Sequence, residues 1–278
     1  MRLERELTRK PSSAELAPEK SSPPSKKGKR RHRRPEPMPT TVQRLFDTCK
    51  RVFADGIAGF VPPPDDVSCI RSILDNMKPS DVGVSPKLPY FRKIDNDGPP
   101  IITYLHVYEC PQFSIGIFCL PPSAVIPLHN HPGMTVFSKL LLGSMHIKSY
   151  DWVVVAQESS EPSSAALPTG KRLAEVKTDE VFTAPCDTSI LYPASGGNMH
   201  CFTAKTACVV LDVLGPPYSI PERNCSYYYD YPYAKYASES PVDLGEDEGY
   251  AWLEERIGSP EEFVVVGAKY QGPKILEG

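Results

Sequence analysis

The stretch His129-Asn130-His131-Pro132-Gly133-Met134-Thr135-Val136-Phe137-Ser138-Lys139-Leu140-Leu141-Leu142-Gly143-Ser144-Met145-His146-Ile147-Lys148-Ser149-Tyr150-Asp151-Trp152 decides how the whole chain is read. Residues 134–142 and 144–152 are β-rich and flank Gly143, so they read as a hairpin. A His-x-His stands before them. On a strand or an extended turn, residues i and i+2 point the same way, so His129 and His131 can place two imidazoles on one side of the chain. His200 opens another candidate strand, 200–213, and can supply a third. Imidazole suits Zn, Cu, Fe and Ni, and three protein ligands with open positions mark a catalytic centre, since a structural zinc site is closed. Taken alone, His-x-His fits a hydrogen-bonded turn or a core pair as well as a metal site.

Further short β-rich runs lie at 101–109, 113–120, 173–182, 189–192 and 263–266, with Gly or Pro in most of the gaps. Residues 157–171 read as an exposed hairpin loop of variable length. Ahead of the strands, Val42, Leu45, Phe46, Cys49, Val52 and Phe53 recur at helical spacing behind Thr40-Thr41, with Gly56 past the end. A second short helix carries Val67, Ile70, Ile73, Leu74 and Met77 on one face, and Asp65 or Asp66 can cap it. The pattern predicts a mainly β barrel or jelly roll with short N-terminal helices over it.

Composition agrees. Thirty-one prolines in 278 residues are about twice the usual share and argue against a helix bundle. At 40% hydrophobic and 23% charged, the chain reads as an ordinary soluble protein. No apolar run approaches the ~20 residues of a membrane span, and the opening MRLERELTRK has no apolar signal-peptide region. The eight cysteines are therefore expected as reduced thiols in the cytosol or nucleus, not as a disulfide framework.

Charge is unevenly spread. Residues 1–40 carry 12 Lys and Arg against 5 Asp and Glu; the rest carries 19 against 29. The first segment also holds seven prolines and few large apolar residues, so 1–39 is expected to be a disordered basic tail before a single 40–278 domain. Its run Lys26-Lys27-Gly28-Lys29-Arg30-Arg31-His32-Arg33-Arg34 fits a nuclear localisation signal; a solvated tail without a partner and a nucleic-acid patch are the other readings. The acidic body continues no basic surface and argues against direct nucleic-acid binding.

The segment 127–143 resembles the first cupin motif, a His-x-His followed by a Gly after a hairpin strand, and Pro193-Ala194-Ser195-Gly196-Gly197-Asn198-Met199-His200 resembles the second. The first departs from that pattern: Thr135, Val136 and Phe137 stand where a Glu is expected. The usual Asn after the second motif's His is also missing. Three neutral imidazoles would leave the full 2+ charge on a metal, which favours a soft anionic ligand such as a thiolate.

With the later segments DVLGPPYS (212–219) and CSYY (225–228), the chain resembles the plant cysteine oxidases, relatives of animal 2-aminoethanethiol dioxygenase, over roughly 40–278. The resemblance implies a cupin-type double-stranded β-helix holding Fe(II) through His129, His131 and His200. It also implies a reaction, insertion of both atoms of dioxygen into the sulfur of an N-terminal Cys to give the sulfinic acid. Proteins so oxidised are arginylated and degraded, which makes such an enzyme an oxygen sensor in the hypoxia response. Implied substrates include ethylene-response transcription factors, which fits a protein of nucleus and cytoplasm; a monomer is expected.

Carried onto this chain, the resemblance gives catalytic roles to Asp212 and Tyr218: the carboxylate to orient a His or the substrate amine, the phenol to donate a hydrogen bond near iron-bound oxygen. Without it, Asp212 reads as a strand-end cap and Tyr218 as packing in a Pro-rich turn. Cys225 and Tyr227 match positions that crosslink in the animal relative, with plain packing expected here. His106 reads as a packed core imidazole, His146 as a residue on the polar side of its strand, and Cys201 as pointing away from the side His200 faces. Two rival functions are a dioxygenase for a small thiol, cysteamine or free cysteine, and a non-enzymatic metal-binding cupin. Free cysteine would call for an Arg to pair its carboxylate.

Overall fold

Thr40 caps the first helix, its hydroxyl accepting from the backbone N–H of Gln43 at 3.1 Å. Helix α1, Thr41–Val52, buries Val42, Leu45, Phe46, Cys49 and Val52, the face its spacing predicts. Helix α2, Pro64–Asp75, begins one residue before the expected acidic cap. Pro64 takes the first helical position, where a missing N–H is harmless, and Asp65 and Asp66 lie in the first turn, favourable to the helix dipole. The computed structural model describes residues 38–91, 98–155, 163–240 and 249–277. The basic tail expected at 1–39 lies almost wholly outside them, as does part of the expected 157–171 loop. Residues Pro39–Gly278 form one compact unit.

Among the described residues fourteen strands follow: β1 Ile102–Glu109, β2 Ser114–Leu120, β3 Val125–Asn130, β4 Thr135–Leu142, β5 Ser144–Trp152, β6 Val154–Val155, β7 Ser163–Ser164, β8 Arg172–Thr183, β9 Ser189–Leu191, β10 Met199–Ala204, β11 Cys208–Gly215, β12 Tyr228–Pro232, β13 Tyr250–Glu255 and β14 Val265–Lys269. Two six-stranded sheets dominate, in the orders β14-β1-β2-β11-β4-β9 and β12-β13-β8-β5-β10-β3. Every pairing within them is antiparallel except β1 with β14. This is the mainly β, cupin-type double-stranded β-helix with short N-terminal helices.

Three expectations need correction. The run 200–213 is two strands, β10 and β11, parted at Lys205-Thr206-Ala207; apolar character on both sides of the turn hid it. The last strand sits at Val265–Lys269 rather than 263–266, and β3, β6, β7, β12 and β13 were not foreseen. In the expected loop, Ala165 and Leu167 are buried in a cluster with Leu173, Tyr233 and Trp252, so that end packs.

The alternation along β2 explains how the layers stack. Ile115, Ile117 and Cys119 face α1 and α2 and join Leu45, Phe46, Phe53 and Ile70 in the largest core cluster. Ser114, Gly116 and Phe118 face the other way, into the space between the sheets. Because both faces of β2 and β11 are covered, their sequences run nearly continuously apolar instead of alternating. Each fully buried Leu, Ile or Phe contributes about 1.5–3 kcal/mol. Between the sheets a second cluster, with Leu120, Ile126, Phe202 and Val210 among its members, fills one half of the barrel. The other half is hollow.

Candidate metal centre

His129 comes from β3, His131 from the turn just after it and His200 from β10. β3 and β10 are hydrogen-bonded neighbours with His200 directly opposite His129 in the register, so the sheet brings the late histidine to the early pair. The ring centroids lie 4.7–4.8 Å apart, and one nitrogen from each ring falls within 4.8 Å of the others. All three are buried. Among the described residues no carboxylate or thiol joins this group.

Backbone carbonyls orient the rings. His129 Nδ1 lies 2.8 Å from the carbonyl oxygen of Pro127, and His131 Nδ1 lies 3.2 Å from that of Asn198. A carbonyl only accepts, so Nδ1 carries the proton in each and Nε2 is left with its lone pair. Asn198 holds His131 from three sides: its Oδ1 accepts from the His131 N–H, and its Nδ2 donates to the carbonyls of His131 and Tyr192. The turn carrying Asn198 is in turn tied by Asp151, whose Oδ1 accepts from the N–H groups of Gly197 and Asn198 at 2.9 and 3.0 Å. Sequence reading missed the Asn198 contacts to His131 and the Asp151 contacts to its turn, because they join residues 46 to 67 positions apart in the chain.

Burial lowers the pKa of His129 to about 4 and drives those of His131 and His200 well below the usual histidine value, with like-charge repulsion adding to the last two. At neutral pH the site therefore presents three neutral imidazoles, those of His129 and His131 with oriented lone pairs, the state in which histidine binds a metal. The donor set fits a divalent transition metal with positions left open.

The cavity beside the histidines is about 390 Å³. Asp212 and Tyr218 both line it. Asp212 lies inside β11, not at its end as a cap would. Its Oδ1 accepts from Ser138 Oγ at 2.5 Å and it makes no hydrogen bond to a histidine. Burial raises its pKa to about 6, against the opposing pull of the Ser138 hydrogen bond. The Tyr218 hydroxyl donates to the carbonyl of Asn130 at 2.7 Å, pinning the residue between the two histidines, and its ring centroid is 5.7 Å from that of His131. Cys225 also lines the cavity, as a free thiol in contact with the hydroxyls of Tyr218 and Tyr227.

The remaining histidines separate from this group. His146 meets Asp179 at 2.7 Å on the outer side of its sheet, as its polar setting predicts. His106 is not packed: its side chain is 56% exposed and 3.9 Å from Glu109. It shares a side of β1 with Tyr104, but near the open end of the barrel, where alternation gives the direction and not the depth. Cys201 lines a separate outer groove, away from the histidines. Among the described residues no helix is long and apolar enough to cross a membrane.

The chain is 58% identical to plant cysteine oxidase 2 of Arabidopsis thaliana over 262 residues, covering 94% of this chain and 91% of that protein. It is 58% identical to plant cysteine oxidase 1 of the same plant over 244 residues, covering 85% and 80%. With mouse 2-aminoethanethiol dioxygenase the identity is 29% over 257 residues, 86% of this chain and 98% of that protein. Among solved structures, an rmlc-like cupin protein from Desulfovibrio desulfuricans is 18% identical with a TM-score of 0.28, covering 48% of this chain and 96% of that one. The profile of the PCO_ADO family matches residues 73–275, and the chain belongs to that family of thiol dioxygenases.

Proposed function

We propose that this protein is an Fe(II)-dependent dioxygenase that converts the N-terminal cysteine of target proteins to cysteine sulfinic acid, using dioxygen. The observation that carries the substrate assignment is the charge of the cavity wall. Among the described residues it includes Glu109 and Asp212 and no Lys or Arg. Free cysteine would bring a carboxylate with no cation to meet it, whereas the amine of a peptide N-terminus meets acidic groups. The 58% identity to proteins named plant cysteine oxidases, against 29% to a 2-aminoethanethiol dioxygenase, favours a peptide over cysteamine.

When bound, the ferrous ion supplies open positions for a thiolate and dioxygen and the redox chemistry to join them. Both oxygen atoms enter the sulfur, the thiol supplies the electrons, and no external reductant is consumed. His129, His131 and His200 hold the ion without adding negative charge, which keeps it attractive to thiolate. Asp212 has one oxygen committed to Ser138 and makes no other hydrogen bond among the described residues, so its second oxygen is the acceptor for a substrate proton or for the α-ammonium group. Tyr218 stays protonated, its pKa raised by burial, and keeps Asn130 in place between the ligands.

The oxidised terminus would mark its bearer for arginylation and degradation, making the reaction an oxygen sensor that acts on ethylene-response transcription factors in nucleus and cytoplasm. Iron-loaded protein mixed with a Cys-starting peptide in air should add two oxygen atoms to the peptide by mass spectrometry. Acetylating the peptide amine should stop the reaction, and His200→Ala should lower bound iron measured by elemental analysis. An unmodified peptide alongside fully iron-loaded protein would overturn the reading.

A further inference from the structure

Across the cavity from the three histidines stands a wall supplied by the facing sheet. Tyr104 on β1 is its largest polar member. The ring packs against Phe118, with centroids 5.0 Å apart, and lies over Gly116 of the neighbouring strand. A Cβ at position 116 would come 2.6 Å from the Tyr104 hydroxyl, so glycine there is what lets the phenol occupy this place. The hydroxyl lines the cavity and makes no hydrogen bond among the described residues. Burial, then the charges of Glu109 and Asp212, raise its pKa to about 12, so at neutral pH it is a protonated donor without an acceptor.

The other two phenols of the cavity are engaged: Tyr227 lies against Ser259 and Cys225, and Tyr218 gives its proton to Asn130. Ser114, two residues before Gly116, adds a second hydroxyl without a hydrogen bond among the described residues to the Tyr104 wall. A half-buried donor left open in a ligand cavity is filled by water until a ligand brings an acceptor.

We propose that Tyr104 donates a hydrogen bond to the first peptide carbonyl of the substrate and so distinguishes a peptide N-terminus from a small aminothiol. The assignment rests on the functional reading above, in which the thiolate and the amine of the terminal cysteine are engaged at the metal and by Asp212. The carbonyl of that same residue is then the nearest acceptor left. Cysteamine has hydrogens at the corresponding carbon and offers nothing to the phenol. Tyr104 thereby contributes to affinity for the peptide and not for the aminothiol core that both ligands share.

The test compares wild type with Tyr104→Phe, which keeps the ring over Gly116 and removes only the donor. Anaerobic calorimetric titration of iron-loaded protein measures binding of a Cys-starting peptide and of cysteamine. The expected result is peptide affinity weaker by about five- to tenfold, the size of one net hydrogen bond, with cysteamine affinity and iron content unchanged. Turnover should show the same split, a raised KM for the peptide with kcat held. Equal weakening of both ligands would mean a structural role and would overturn the assignment, as would a variant that binds peptide like wild type. Wild-type protein that binds no Cys-starting peptide would remove the functional reading itself, and this assignment with it.

Discussion

Asp212 is a carboxyl held where charge is costly, and its sign can be followed through stability. Burial lifts its pKa from 3.8 to about 6. Between those values the folded protein keeps a proton the unfolded chain has released, so this group makes stability fall as pH rises through the window and then level off. His129, His131 and His200 act oppositely in the metal-free protein: burial lowers their pKa values, and stability falls as pH drops below about 6.5, where the unfolded chain takes up protons the fold refuses. Comparing Asp212→Asn with wild type cancels the histidines. The stability difference in favour of the variant should widen from pH 4 to pH 6.5 and stay flat above, reaching at most about 3 kcal/mol, by chemical denaturation of metal-free protein. A difference that does not change with pH would mean the carboxyl titrates normally. The three clustered histidines were legible because i, i+2 spacing and a Pro/Gly turn are local signals. Tyr104 and the Ser138–Asp212 pair were not, because a hydroxyl inside an apolar strand gains meaning only from a partner 74 residues away, or from its absence.

At the scale of elements, the hairpin β4–β5 shows why local reading worked where it did. Gly143 joins the strands with φ at +89°, a conformation that side chains rarely adopt, and a Cβ there would come 2.1 Å from the carbonyl oxygen of Ala207. The turn between β10 and β11 therefore lies against the turn between β4 and β5, and neither can shift alone. Gly143→Ala should destabilise the protein by more than about 2 kcal/mol, read as a lower denaturation midpoint, while the neighbouring Ser144→Ala loses one exposed hydroxyl contact to Thr183 and should stay within about 0.5 kcal/mol. Equal midpoints for the two variants would show that the turns are free to separate. Helix α1 was readable because its apolar spacing and its Thr40 cap agree. The unforeseen strand β3 has a proline at position 127 and stands at the end of its sheet's order beside β10, where an edge strand tolerates one. Strands β12 and β13 were hidden by polar and aromatic residues that carry no clean alternation: Tyr228–Pro232 is exposed or half-buried throughout.

The whole molecule sets a basic leader against an acidic body. From residue 41 onward 19 Lys and Arg face 29 Asp and Glu, while the first 40 residues carry 12 against 5. The three histidines, Asp212, Tyr218 and Tyr104 all lie in the compact unit Pro39–Gly278. A chain starting at Pro39 should therefore keep its iron content and its peptide oxidation rate, with a melting temperature within about 2 °C of the full chain, the shift expected of well under 1 kcal/mol. We propose that the leader's part is addressing. Fused to a fluorescent cargo too large to diffuse through nuclear pores, residues 1–40 should carry it into the nucleus, and alanines in place of Lys26, Lys27, Lys29, Arg30 and Arg31 should leave it in the cytoplasm. If the leader instead held nucleic acid, removing it would abolish a salt-sensitive affinity for DNA or RNA, because the body's excess of carboxylates repels phosphate. Import that survives the alanine substitutions, or turnover that disappears with the first 38 residues, would each contradict the division of labour between the two parts.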